Sequence, residues 1–292
     1  MKNEILLESG TNELEIVIFK VGDLSLGVNV AKVESIITHQ KITGLPNTHP
    51  NIKGVINHRG RVLPVLDMAN TLNKECGKNE QERLLILMYI NNSDFVIEIS
   101  EVVGIKRLSW DQVETPSEIL TMDNETPATG VVKLEDEEVV LILDFEKILA
   151  DMDQNLSVQK TSITSGLEGR KLVVAEDSSF LLEVVNDSFV KAGAKVEKFS
   201  NGKDALTYLE SVNIGEIYCV ITDIEMPVMD GLTLTKNIKE NPNLRDIPVI
   251  LFSSIVSDGL VHKGKSVGAD AQITKPEIDK LVSLVTNITK KS

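Results

Sequence analysis

Three runs of uninterrupted apolar residues in the second half of the chain constrain its fold most strongly. They are LVVA at 172–175, IYCVIT at 217–222 and VILF at 249–252. Such a strand has no polar face to offer water, so each must be covered on both sides. Between the runs the spacing turns helical. Leu181, Val185 and Phe189 fall on one face, and Gly193 is placed to stop that helix. AQITK (271–275) reads as a further short strand, and PEIDKLVSLVTNI as a closing helix with proline at its start. Apolar strands alternating with helices predict a doubly wound α/β domain around a parallel sheet.

In such sheets ligands bind outside the carboxyl ends of the strands, where the strand order reverses. Those ends carry Glu176 and Asp177, then Asp223, then Ser253 and Ser254, then Lys275 before Pro276. Any one of these has an ordinary reading: an acid in a turn, a helix N-cap at Asp177, Ser178 or Ser179, a surface lysine. Together they predict convergence on one edge. Three adjacent carboxylates raise one another's pKa, and a hard cation resolves the repulsion. Mg²⁺ takes oxygen ligands and is commonly held by one or two carboxylates together with phosphate oxygens. The backbone carbonyl of Glu225 is a further candidate ligand. Lys275 and the Ser253 hydroxyl fit as anchors for a phosphoryl group carried by Asp223. Behind Asp223, the Met-Pro and Asp-Gly steps of EMPVMDG (225–231) supply the turn.

The first half has a different texture. LEIVIFK alternates through Leu14, Ile16 and Ile18, and LSLGVNV through Leu24, Leu26, Val28 and Val30. Two apolar runs flank Asn91-Asn92-Ser93-Asp94, a hairpin signal. GVINHRGRVLPVLDM (54–68) and GVVKLEDEEVVLILDF (130–145) share a pattern of Gly-Val, polar turn, apolar strand and Leu-Asp. The repeat predicts two similar small barrels in one all-β domain. A polar Ser/Thr-rich stretch at 152–168 reads as a linker, so the expected domains are 1–151 and 169–292. The net charge of −14 argues against nucleic acid as a main partner. No apolar stretch is long enough to cross a membrane, and the N-terminus lacks a secretory signal, so a cytoplasmic location is expected.

Glu176-Asp177, Asp223 with MPVMDG, Ser253 and Lys275-Pro276 resemble the receiver domain of two-component response regulators over residues 171–290. The resemblance implies a flavodoxin-like fold with a five-stranded sheet and Mg²⁺-dependent phosphorylation of Asp223 by a histidine kinase. It also implies movement of the Ser253 hydroxyl to the phosphoryl group. Receivers often place Tyr or Phe three residues before the lysine as a switch; here that position is Gln272.

FKVGDLSLGVNVAKVESII, ITGLPNTHPNIKGVINHRGRVLPVLDM and TGVVKLEDEEVVLILDFEKIL resemble the CheW-like adaptor that couples chemoreceptors to the chemotaxis kinase. That implies a double SH3-like barrel. Adaptor followed by receiver is similar to the CheV coupling proteins. The implied partners are a CheA-type histidine kinase and methyl-accepting chemoreceptors, met at membrane-associated arrays without membrane insertion. The implied action is regulated coupling, with no enzymatic turnover beyond self-catalysed aspartyl phosphorylation and dephosphorylation. A phosphate sink for the kinase is the open alternative. The turn Asn57-His58-Arg59-Gly60 matches the adaptor's interface turn, with Arg59 the leading interface residue and His58 in place of the usual apolar one.

Overall fold

A computed structural model describes residues 12–91, 93–116, 127–134, 138–152, 165–254 and 258–288. The chain forms two compact units. One holds residues 14–108 and the described residues of 116–153. The other holds the described residues from 165 onward, joined by Asn12, Glu13 and residues 109–115.

The first unit is built from β1 (Glu13–Val21), β2 (Leu24–Asn29), β3 (Val33–Thr38), β4 (Ile52–His58), β5 (Arg61–Asp67), β6 (Leu84–Ile90), β7 (Ser93–Ile99) and β8 (Glu101–Ser109). After β9 (Val113–Glu114), in the segment 109–115, come β10 (Ala128–Lys133) and β11 (Val139–Leu143). One sheet contains the order β8-β1-β2-β11-β10 and the other β3-β6-β7-β5-β4. The sheets exchange strands. β3 follows β2 in the chain but pairs with β6, and β8 follows β7 but lies beside β1. Both sheets therefore contribute to one core, which holds Phe19, Leu66, Ile86, Ile97 and Phe145. A smaller second core gathers Ile56, Leu63, Val65, Leu85 and Val96.

The sequence repeat has a structural meaning. Each copy is an antiparallel hairpin followed by a helix: β4–β5 with α1 (Met68–Thr71), and β10–β11 with α2 (Phe145–Met152). The second strand of each hairpin then pairs in parallel with a neighbour, β5 with β7 and β11 with β2. The repeated Leu-Asp is a helix start. Asp67 accepts from the Asn70 N–H and Asp144 from the Lys147 N–H, both at 2.9 Å. A short acidic side chain satisfies an orphan donor of the first turn and complements the helix dipole there.

The second unit alternates β12 (Lys171–Ala175), α3 (Ser179–Lys191), β13 (Lys195–Phe199), α4 (Gly202–Ser211), β14 (Ile217–Thr222), α5 (Gly231–Glu240), β15 (Val249–Ser253), α6 (Asp258–Ser266), β16 (Ala271–Thr274) and α7 (Ile278–Asn287). The sheet order is β13-β12-β14-β15-β16, with every pair parallel. Strand order reverses at β12, so the crevice lies beside the ends of β12 and β14. Leu181, Val185 and Phe189 of α3 bury against one face with Leu281 and Val285 of α7. Leu209, Leu234 and Ile238 bury against the other. β13 has no apolar run to announce it. As an edge strand with the sequence KVEKF, it is only partly buried.

The expected linker is shorter than the polar stretch that suggested it. Met152 closes α2, and Leu167 is buried in the core of the second unit, its N–H bonded to the Ala192 carbonyl at 3.0 Å. Residues 153–164 lie outside the described residues.

Gly231 opens α5 directly behind Asp223. A Cβ built there would stand 1.8 Å from the Asp223 carbonyl oxygen. Gly231→Ala should cost at least about 1–3 kcal/mol, the usual range for overpacking. Gly104→Ala, where a Cβ meets nothing within 4 Å, should stay within about 0.5 kcal/mol. Urea unfolding followed by circular dichroism compares the two.

Candidate functional site

The carboxyl ends of β12, β14, β15 and β16 place their polar residues together. Glu176 and Asp177 follow β12, Asp223 follows β14, Ser253 ends β15, and Lys275 follows β16. Ligand oxygens of Glu176, Asp177 and Asp223 all lie within 4.8 Å of one another. The Lys275 ammonium sits among them, 2.9 Å from Glu176 and 2.9 Å from Asp223 Oδ2. Glu176, Asp223 and Lys275 are almost fully buried.

Backbone bonds hold the acceptor still. The Asp223 N–H donates to the Ala175 carbonyl at 2.8 Å, tying the end of β14 to the end of β12. Asp223 Oδ1 accepts from the Ile224 N–H at 2.6 Å. The Lys275 N–H donates to the Ser253 carbonyl at 2.9 Å, which fixes the lysine relative to the serine. Lys275 is followed by a cis bond to Pro276.

Burial sets the electrostatics. It pushes the Glu176 carboxyl well above the usual carboxylate range; Lys275 opposes that, and the charges of Asp223 and Asp177 add to it. One buried cation among three carboxylates leaves an excess of negative charge. The donors are all oxygens and all hard, and two of the three carboxylates are buried. That set suits a hard divalent cation such as Mg²⁺.

Of the residues singled out in the sequence, Glu176, Asp177, Asp223 and Lys275 meet at one point. Glu225 lies two residues past Asp223 and is buried, as is Ser253. Gln272 sits on β16 opposite Leu251; its side-chain oxygen is buried without a hydrogen-bond partner among the described residues. Two roles were hidden in the sequence. The Thr222 hydroxyl, fully buried, donates to the Asp223 carbonyl at 2.9 Å. Asp230, read only as turn chemistry, caps α5 by accepting from the Thr233 N–H at 2.7 Å, and burial pushes its carboxyl up. Asp followed by Gly before a helical pattern was the available signal.

In the first unit, Asn57-His58-Arg59-Gly60 closes the β4–β5 hairpin through a two-residue turn. Arg59 and Gly60 both have positive φ, 51° and 83°. That pair of angles is the twist-matched hairpin turn, which favours Asn or Gly at both positions. Asn57 Oδ1 accepts from the Gly60 N–H at 3.1 Å. Arg59 is exposed and His58 is buried.

Two family profiles match the chain, the CheW-like domain at residues 15–153 and the response regulator receiver domain at residues 172–286. The Helicobacter pylori chemotaxis protein CheV3 is 28% identical over 300 aligned residues, covering 96% of each chain. CheV2 of the same organism is 25% identical and covers 91% of this chain and 92% of its own. Bacillus subtilis chemotaxis protein CheW is 30% identical over 138 residues, 46% of this chain and 86% of its own. Among the described residues no helix is long and apolar enough to cross a membrane. The chain therefore joins a CheW-like domain to a response regulator receiver domain, in one arrangement that CheV proteins match nearly end to end.

Proposed function

We propose that the protein is a chemotaxis adaptor that couples chemoreceptors to a CheA-type histidine kinase, and that phosphorylation of Asp223 regulates the coupling. The observation that carries the phosphorylation is Lys275, 2.9 Å from both Glu176 and Asp223 in a buried pocket of three carboxylates. An oxygen of Asp223 attacks the phosphorus of the kinase's phosphohistidine. The P–O bond forms as the P–N bond breaks, and the imidazole leaves and takes up a proton. Lys275 neutralises charge on the transferred group, and the Ser253 hydroxyl offers it a hydrogen bond. Glu176, Asp177, Asp223 and the Glu225 carbonyl would hold Mg²⁺, which supplies charge neutralisation for phosphoryl transfer.

The functional boundaries are an adaptor at 1–151 and a receiver at 169–292, joined through the stretch 152–168, whose Met152 ends a helix and whose Leu167 packs into the second unit's core. Partners are the kinase and methyl-accepting chemoreceptors, met in the cytoplasm at membrane-associated arrays. The chain has no other catalytic task. Within the adaptor, the turn of Asn57, His58 and Arg59 meets the partners, with exposed Asn57 and Arg59 at the surface, Arg59 the direct contact, and buried His58 packed beneath the turn. Its strained, exposed backbone supports this, because strain at a tip where Asn or Gly fits better is tolerated where the side chain serves a purpose.

Incubation with Mg²⁺ and a small-molecule phosphodonor should add one phosphoryl group to the intact mass. Asp223→Asn should gain none. Absence of the gain, both here and with phosphorylated kinase, overturns the acceptor reading. With kinase in excess, Asp223→Asn should still change receptor-coupled kinase activity; unchanged activity would favour a phosphate sink.

Magnesium affinity should rise with pH. Glu176 holds its proton above the ordinary carboxylate range and must lose it to bind metal. Below its raised pKa, apparent affinity should therefore climb by about tenfold per pH unit and then flatten. Calorimetric titration with Mg²⁺ from acid to neutral pH reads this directly; a flat profile contradicts it.

Arg59→Asn separates interface from fold. Asn suits the turn, so stability should hold or rise slightly. Co-sedimentation with receptor membranes and kinase should weaken by at least about fivefold, the effect of losing a contact worth more than 1 kcal/mol.

A further inference from the structure

The loop between Asp223 and α5 is gripped from outside the acid pocket, within the same compact unit. Val228 has φ +66°. A β-branched residue avoids that left-handed region. Its backbone is held on both sides by residues from far earlier in the chain. The Val228 N–H donates to the Trp110 carbonyl at 2.8 Å. Its carbonyl accepts from Asn12 Nδ2 at 3.2 Å, and two residues on the Asp230 N–H donates to Asn12 Oδ1 at 3.0 Å. One amide side chain thus donates and accepts along the loop backbone, as a neighbouring strand would.

The gripping residues are themselves braced. Asn12 has φ +60°, and its carbonyl accepts from the Trp110 N–H at 2.7 Å and from the Ser109 hydroxyl at 3.1 Å. Trp110 is buried, and the Gln112 side chain accepts from the Ser109 N–H at 2.9 Å. Nothing in the phosphoacceptor chemistry requires this seat.

We propose that Asn12 and Trp110 form an intramolecular docking seat for the loop 227–230, and that phosphorylation of Asp223 releases the loop from it. The inference rests on Asp223 being the phosphoacceptor. The Asp223 carboxylate already engages the Ile224 N–H and Lys275. A phosphoryl group joined to it as an acyl phosphate takes up one carboxylate oxygen and brings three new ones into a buried pocket. The segment that must yield starts at Ile224, whose carbonyl is bonded to the Gly231 N–H at 3.0 Å. Between those points Val228 is the strained residue. A strained φ persists only while its surroundings over-determine it, and here Asn12 and Trp110 supply that restraint. The seat therefore opposes the phosphorylated arrangement, and by linkage phosphorylation opposes the seat.

The output has a covalent path. Asn12 runs directly into β1 and Ser109 closes β8, neighbouring strands of one sheet. Releasing the loop removes the restraint on the start of one strand and the end of the other.

Trp110 is the only tryptophan, so its emission reports the seat. The full-length chain is treated with Mg²⁺ and a small-molecule phosphodonor, with intact mass, Trp110 emission and backbone hydrogen exchange followed together. The expected result is a phosphoryl gain with a red shift of emission and faster exchange at the Val228 and Asp230 amides. Asn12→Gly keeps the left-handed backbone and deletes both side-chain bonds. It should raise the apparent affinity for Mg²⁺–beryllium fluoride, a phosphoryl mimic, by at least about fivefold. Asn12→Asp, which loses only the donor to Val228, should fall between. A full phosphoryl gain with unchanged emission and exchange overturns the seat and leaves the acceptor reading standing. Unchanged beryllium fluoride affinity in a folded Asn12→Gly does the same. No phosphoryl gain from donor or kinase overturns the acceptor reading and the seat with it.

Discussion

A buried ammonium between two buried carboxylates is the interaction on which the second unit is organised. Lys275 bonds Glu176 and Asp223 at 2.9 Å each, tying the ends of β12, β14 and β16 across the sheet. Such a group is costly in isolation. Removing one partner from a buried pair strands the other charge, at about 3–5 kcal/mol. The sheet can hold it because β14 and β15 beneath are buried along their whole length, so water does not reach the pair from below. The same arrangement leaves more negative than positive charge, and the excess makes the pocket receptive to a cation. Stability and chemistry thus pull in opposite directions at one point, and the buried central strands absorb the difference.

The CheW-like unit solves a different problem, building one core from two sheets. Strand exchange lets β3 and β8 each leave the sheet their hairpin began in, so the sheets cannot separate without unpairing. The repeated hairpin and helix then plug the core, and Phe145 of α2 packs 6.1 Å from Phe95, centroid to centroid. The paired Asp67 and Asp144 caps show why the repeat kept its Leu-Asp: the leucine belongs to the strand, the aspartate to the helix that follows.

Legibility followed the range of the interaction. The acids, the serine and the lysine could be read because each stands at the end of a strand, and strand ends in a parallel sheet converge whatever the loops do. The hairpin repeat could be read because its period is local. β13 could not, since an edge strand with one solvated side keeps its lysines and glutamate. Leu167 was lost inside a polar stretch, a single apolar residue carrying no period. The seat was the least legible: Asn12 and Trp110 lie more than a hundred positions from Val228, and neither residue type announces a backbone contact. Only the folded chain brings an asparagine amide alongside a loop with φ +66°.

That seat also bears on Gln272. The corresponding receiver position often holds an aromatic ring that moves with the switch hydroxyl. Gln272 instead packs its amide oxygen against Gly264, close enough that a Cβ there would stand 2.8 Å away, and leaves that oxygen buried without a donor among the described residues. An unsatisfied buried carbonyl costs about 1–3 kcal/mol. It can gain a partner by moving, but an amide lacks the apolar face that lets a ring trade one packed site for another. The β16 face is therefore poorly equipped to carry the output of this receiver. The loop behind Asp223 is better equipped: it starts at the acceptor, it is strained, and its restraint comes from residues that lead into β1 and out of β8. In a chain that carries a CheW-like domain beside its receiver, the proposed readout through the loop has no need of a surface shaped for a diffusing partner.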